Sequence, residues 1–413
     1  MVSVTSDRSW NIGEIRHPLN QDAQGVNRPP LDINPLYHHI RETPTGVATV
    51  QRASGPAFLI TRWEDVRFVL QDPRFSREHA LDADDVPGLA GTLLGMDPPE
   101  HTELRRLVSP AFTARAVAQR RPELVRQGDR FLKEMIDQGD YADLMKRFAL
   151  PFALNTICDL LGLPEEDREA FYKWSMSFLA TSDATREEAR ASGAVMAEYL
   201  GTLIEQRRQR PADGLLSHIA AHAQNFPPEQ VIMLPIALFI GGWETTAGNI
   251  GTFVQVLLSR PYLEYESGFK YLVRHPEMLD GAVTELERMF SNAAADGMPR
   301  RVMDDVRLPG GGLLKAGDVV IPSMDAANHD ARAFDAPQRL DFARATEGRG
   351  HLSFGHGTHY CIGRHLGHEA VVIAIGLLVQ YLPELRLAVA AESIPRKFGH
   401  AVTGPIELPV TWR

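Results

Sequence analysis

His351-Leu-Ser-Phe-Gly-His-Gly-Thr-His-Tyr-Cys-Ile-Gly363 decides how the rest of the chain reads. It holds Cys361, one of only two cysteines, among glycines at 355, 357 and 363 and histidines at 351, 356 and 359. From Arg364 to Leu378 the pattern predicts a helix. A glycine turn that presents a thiolate at a helix N-terminus has three uses. It can lower a thiol pKa for nucleophilic attack, with His356 or His359 as base. It can direct backbone N–H groups at a sulfur that binds a metal. It can also be a plain buried thiol, as expected for Cys158 in Leu154-Asn-Thr-Ile-Cys-Asp-Leu-Leu161.

Composition narrows the classes. The 413 residues carry 44% hydrophobic and 23% charged side chains, ordinary for one large globular unit. A net charge of −10 argues against a nucleic-acid partner. Two cysteines exclude a disulfide framework and fit a reducing, cytoplasmic setting. Neither linker nor repeat divides residues 1–413, and residues 1–30 read as irregular. The N-terminus offers no apolar run for a signal or anchor, and Val231 to Gly242, interrupted by Pro235, reads as a buried helix rather than a membrane span.

The order of elements is a little β structure, many helices, then β again. Asn34 to Arg41 is a short predicted helix, and 46–61 alternates as a hairpin around Ser54-Gly-Pro56. Trp63 to Gln71 is helical, and 77–95 is a long loop. From Pro99 to about Leu215 apolar residues recur at helical spacing. Pro228 to Arg260 predicts one long helix, with further helices at 268–274 and 276–290. Residues 300–325 turn to β, 325–350 wander, and a last strand pair lies near Arg386 and Leu408–Trp412.

The long helix is interrupted by Gly241-Gly-Trp-Glu-Thr-Thr246. Each internal glycine costs about 1 kcal/mol against alanine, and a buried Glu needs a partner. Such local faults gather at functional sites. A Thr hydroxyl there can bond back to the carbonyl one turn earlier. Glu285 and Arg288 share a helix face, as do His101 and Arg105. Taken singly, each pair fits a solvated surface better than a site.

Together these stations resemble the cytochrome P450 family. Its haem-loop signature Phe-Gly-x-Gly-x-His-x-Cys-x-Gly is met at Phe354, Gly355, Gly357, His359, Cys361 and Gly363. The resemblance runs from about Asn34 to Trp412. It implies a mainly α fold with smaller β regions, a single α+β domain. It implies haem b with the Cys361 thiolate as axial iron ligand. Glu244 and Thr245 match the family's proton-delivering acid–alcohol pair. Glu285, Arg288 and Arg344 match its structural network. His101, Arg105, His351 and Arg300 match propionate ligands, with Arg301 the alternative to Arg300. The implied reaction inserts one oxygen atom of O2 into a C–H bond or alkene of a bulky apolar molecule such as a polyketide, macrolide or terpenoid. Its pocket would draw on the 77–95 loop with Leu93, Leu94 and Met96, the region 174–192, Leu238, Gly242, the segment 293–297 with Ala294, and Val402–Thr403. Electrons would come to a monomer from ferredoxin and its reductase, with Arg364, Arg349, Arg120 and Arg121 as docking cations. A peroxide-driven enzyme or a non-oxygenating haem protein would not need Glu244-Thr245, and a Cys–His hydrolase would need no haem.

Two departures stand out. Trp243 replaces a residue that is often His in bacterial members, and about five extra residues lie between Pro261 and Pro276.

Overall fold

The computed structural model describes residues 30–52, 54–83, 91–178, 186–292, 296–344, 349–397 and 402–413, with side chains of 175–178 and 186–190 set aside. The expectations for residues 1–29, for the middle of the 77–95 loop and for Ala294 fall outside the described residues.

Among the described residues the order is α1 (Pro35–Glu42), β1 (Val47–Arg52), β2 (Gly55–Ile60), α2 (Trp63–Gln71), β3 (Phe75–Ser76), α3 (Glu100–Val108), α4 (Ala114–Ile136), β4 (Tyr141–Asp143) and α5 (Leu150–Leu161). There follow α6 (Arg168–Phe178), α7 (Arg186–Gln209), α8 (Leu215–His222), α9 (Pro228–Ser259), α10 (Gly268–Arg274) and α11 (Leu279–Met289). The chain ends with β5 (Arg300–Val302), β6 (Val306–Arg307), β7 (Leu313–Leu314), β8 (Val319–Pro322), α12 (Met324–Asn328), α13 (Arg364–Tyr381), β9 (Arg386–Leu387) and β10 (Pro409–Thr411). Helix dominates, as the periodicity predicts.

Local chemistry sets the ends. Asn34 accepts from the Leu36 N–H at 3.0 Å, with Pro35 opening α1. Thr113 caps α4 through the Ala116 N–H at 3.2 Å. Gly162 stops α5 with a left-handed φ of 79°, which glycine adopts without a Cβ clash.

The predicted hairpin forms, pairing Val47 with Ile60. It joins a sheet ordered β1-β2-β8-β5-β3, in which only β2 and β8 run parallel. Ile60, Val66, Val302 and Val320 form its own small core. The main core is helical. Phe152 and Ile157 of α5, Phe239, Trp243 and Phe253 of α9, and Ile375 and Leu378 of α13 are buried in one cluster. The apolar length of α9 would satisfy a membrane-span test, but most of that stretch is buried inside the protein.

The stretch after Pro261 braces the wandering segment. Tyr262 and Tyr265 pair across a tight turn. The Tyr262 ring stacks on Phe342 at 4.0 Å and 13°, and its hydroxyl accepts from the Phe342 N–H at 3.0 Å. This holds the stretch that carries Arg344.

Candidate functional site

The loop before α13 is tied down along its length. Leu352 N–H donates to Asn328 Oδ1 at 2.7 Å, Ser353 Oγ donates to Glu287 O at 2.5 Å, and Cys361 N–H donates to Phe354 O at 2.8 Å. Gly355 and Gly357 take φ of 71° and 68°. A Cβ on Gly357 would also lie 2.5 Å from Leu70 O at the end of α2. Only glycine lets this loop turn and lie against that helix.

Cys361 is an exposed residue whose thiol is nonetheless closely surrounded by protein. Burial pushes its thiol pKa up. The Gly363 and Arg364 N–H groups and the Arg105 guanidinium pull the other way. The N–H groups therefore do face the sulfur, as the glycine pattern suggests. Burial lowers His359 to about 2, helped by Arg300, His101, Arg77 and Arg105. A thiol pushed up beside an imidazole that will not take its proton makes a poor nucleophile pair, which counts against a Cys–His hydrolase. A metal removes the thiol proton outright.

The cationic residues predicted from sequence converge. The His101 and His359 rings lie 4.5 Å apart. Arg105 Nη2 donates to Tyr360 O at 2.5 Å. Arg300 is buried, whereas Arg301 points outward to Asp82 at 2.6 Å, so of the two Arg300 belongs to the inner group. Both ring nitrogens of His101 are buried without a hydrogen-bond partner among the described residues, and burial followed by Arg105 lowers its pKa to about 4. Such a cluster, with orphaned nitrogens, suits the carboxylates of a bound group.

His351 stands apart from that cluster. Its ring meets Phe354 at 5.7 Å and its Nε2 lies 3.8 Å from Glu287. Burial, then nearby Arg364, lowers its pKa to about 3.

Behind the loop, His368 Nδ1 lies 3.1 Å from buried Glu287 and its Nε2 lies 3.0 Å from Asp280. Burial opposes the imidazolium, but the two carboxylates outweigh it and raise His368 to about 9. Burial pushes the Glu287 carboxyl up as well. Two carboxylates act on one imidazole, so the His368 direction governs the trio. Raised above the ordinary 6.5, His368 contributes stability that is complete below that pH and lost as pH rises through about 9. The thermal midpoint of the wild type is expected to fall across that window, and His368→Gln to flatten the fall. Parallel curves would contradict the assignment.

Glu285, Arg288 and Arg344 meet as predicted. Arg288 grips Glu285 at 2.8 and 2.9 Å, and Arg344 Nε lies 2.9 Å from the same carboxylate.

On α9, Thr245 Oγ1 donates back to Gly241 O and Thr246 Oγ1 to Gly242 O, each at 2.8 Å. Thr246 lies against α13, where a Cβ on Gly367 would sit 3.8 Å from its hydroxyl. The crossing sets the Gly241–Thr245 stretch over the Cys361 end of α13. Gly241 is exposed and Thr245 half-buried, so this part of the otherwise buried helix is open.

Gly242 has a packing role as well: its bare Cα faces α5, where a Cβ would lie 2.8 Å from Ile157. Trp243 also points into the core, edge-on to Tyr172 at 5.3 Å. Leu93, Leu238 and Val402 are buried, and Leu94 is 38% exposed.

Sequence reasoning missed one partner. Glu244 is ion-paired with Lys397, 153 residues away. No local pattern marks such a contact.

A cleft of about 750 Å³ borders the loop beside Arg67, Arg349, His351, His356 and Tyr360, but Cys361 is not in its lining. Among the described residues no three His, Cys, Asp or Glu side chains converge as a metal site. One exposed cysteine with backbone N–H groups at its sulfur and Arg105 near it is a donor set that fits a metal carried in a macrocycle with acidic side arms, such as haem.

Comparison with known proteins follows the same line. A family described as Cytochrome P450 matches residues 273–397. The chain is 37% identical to nocardicin C N-oxygenase of Nocardia uniformis subsp. tsuyamanensis over 92% of its length and 96% of that protein. It is 38% identical to mycinamicin IV hydroxylase/epoxidase of Micromonospora griseorubida over 96% and 98%. The crystal structure of HinD with NMFT and NO superposes with a TM-score of 0.87 at 35% identity, covering 96% of this chain and 99% of that one. The LnmA cytochrome P450 hydroxylase of the leinamycin biosynthetic pathway of Streptomyces atroolivaceus gives 0.85 at 36%, covering 96% and 100%.

Proposed function

The chain belongs to the cytochrome P450 family, and from that premise we propose that it hydroxylates or epoxidises a bulky, mostly apolar secondary metabolite, with Cys361 as the axial haem ligand. The family's chemistry is haem-thiolate monooxygenation, and the haem supplies the activation of O2. The observation that carries the residue assignment is Cys361: an exposed cysteine met by the Gly363 and Arg364 N–H groups and by Arg105, with His359 beside Arg300, His101 and Arg105 in the same loop.

The residues divide the work. Cys361 would hold the metal. His101, Arg105 and Arg300 would hold the acidic side arms. His351 would join them only by turning from Glu287. Thr245 would hold a water or an oxygen-bound proton, and Glu244 would pass protons to it. Leu93, Leu238 and Val402 supply apolar wall, keeping bulk water from the reacting carbon. Relatives whose names refer to nocardicin and mycinamicin support a secondary-metabolite substrate of that size.

The chain would work as one unit over residues 1–413, in the cytoplasm, as a monomer fed by ferredoxin and its reductase. Arg349 and Arg364 flank the loop on the side a donor would approach. Arg121 is less available, being 2.7 Å from Glu369.

The test is turnover of the haem-loaded protein with ferredoxin, its reductase and isotopically heavy O2, on substrates chosen by their shift of the iron spin state. One heavy oxygen atom in the product is expected. Product oxygen drawn from water would contradict the assignment.

Thr245→Ala removes the hydroxyl that donates to Gly241. Electron use is expected to continue while product per electron falls by about tenfold or more and hydrogen peroxide accumulates. Unchanged coupling would sink the role of Thr245.

A further inference from the structure

The buried face of α9 carries Glu244 and, one turn on, Gly248. Residues four apart share a helix face. The chain folds back on itself beyond α13: Arg396 bridges Pro405, and Lys397 N–H donates to Gly404 O at 2.9 Å. This return lies directly on Gly248. A Cβ there would meet Thr403 O at 2.8 Å, and one on Gly404 would meet Gly248 Cα at 3.0 Å. Two facing glycines let the backbones touch. That approach delivers Lys397 to the face on which Glu244 sits.

The same return is locked to the neighbouring threonine. Asn292 Nδ2 donates to Thr245 O at 2.9 Å and to Asn249 Oδ1 at 3.0 Å, while Asn292 O accepts from Thr403 N–H at 2.9 Å. Glu244, Thr245 and Lys397 are therefore held in one frame.

Within it the carboxylate is divided. Glu244 is 1% exposed and Lys397 13%. The ammonium holds Oε1, and Oε2 is buried with no hydrogen-bond partner among the described residues. A buried carboxylate keeps its charge only beside a cation.

We propose that Lys397 is the positioning residue for proton delivery: it grips Oε1 of Glu244 and so leaves Oε2 as the oxygen that takes each incoming proton and releases it toward Thr245. The carboxylate gains one proton and gives up one proton per transfer, so the ion pair is restored each time. The inference rests on the reading of Glu244 as the proton-passing acid.

The test uses the haem-loaded protein with Lys397→Met, Lys397→Arg, Glu244→Gln and the double variant. In Lys397→Met the uncompensated carboxylate is expected to take up a proton at neutral pH. Infrared difference spectra would then show a new protonated-carboxyl band that vanishes when Glu244→Gln is added. Product per electron should fall roughly tenfold, with substrate-induced spin shift intact, and its pH profile should move. Lys397→Arg should show no band and keep coupling. Should Lys397→Met lose haem, Lys397→Gln, which keeps a donor but no charge, is expected to give the same band. A charge-free variant that folds without the band, or with wild-type coupling, would overturn the proposal. If Glu244→Gln alone keeps wild-type coupling, the reading of Glu244 falls and the proposal with it. If Glu244→Gln loses coupling and the Lys397 variants do not, only the role of Lys397 falls.

Discussion

Arg288→Met is expected to cost roughly 3–5 kcal/mol, the range for removing one partner of a buried ion pair. Arg288 and Glu285 have side chains 2% exposed, and Arg288 closes on both carboxylate oxygens. It also donates to Asn328 O at 2.6 Å and Pro337 O at 2.9 Å. Losing it strips two buried carbonyls of their donor and leaves Glu285 with Arg344 as its remaining guanidinium partner. Set against a typical stability of about 5–15 kcal/mol, that is a large share. Haem should be lost as well. Asn328, released by the change, is the residue that holds Leu352 and Ser353 at the start of the cysteine loop. Arg288→Lys should rescue little, since an ammonium cannot make the paired contacts of a guanidinium. Denaturant midpoints and haem content would measure both effects. A loss under about 1 kcal/mol, the size of a surface pair, would show that the network is not what holds the loop.

How much of this was legible in the sequence depended on how far apart the cooperating residues lie. Trp63–Gln71 and Gly268–Arg274 form the helices that their apolar spacing predicts. The 46–61 hairpin and the Glu285/Arg288 pair are also local patterns. Cys361 was found by its glycines, because a turn that must reach φ of about 70° twice leaves few residue choices. What periodicity cannot give is the direction of a side chain within a buried helix. Gly241 and Gly242 look alike in sequence, yet one is exposed and the other faces Ile157. His351 matches a propionate contact by position, but Glu287 lies 3.8 Å from its ring and burial governs its charge. Lys397 meets Glu244 only because glycines at 248 and 404 let two distant backbones touch. The spacing after Pro261 departs from the expected pattern in sequence, and the Tyr262–Phe342 stack shows what that stretch supports.

The largest functional effect is expected at Cys361. Burial raises its thiol, and the surrounding N–H groups only partly offset that. A neutral serine in its place would keep the backbone turn, because Cys361 N–H bonds to Phe354 O regardless of side chain. The fold should therefore survive while the electron-rich axial ligand is lost. Cys361→Ser is expected to retain near wild-type stability without haem and to lose monooxygenation. The carbon monoxide difference spectrum of the reduced, haem-loaded protein tests this most directly. The wild type should show the Soret band at the thiolate position and Cys361→Ser should not. A wild-type band away from that position, or a thiolate band that persists without Cys361, would contradict the assignment of Cys361 as the haem ligand.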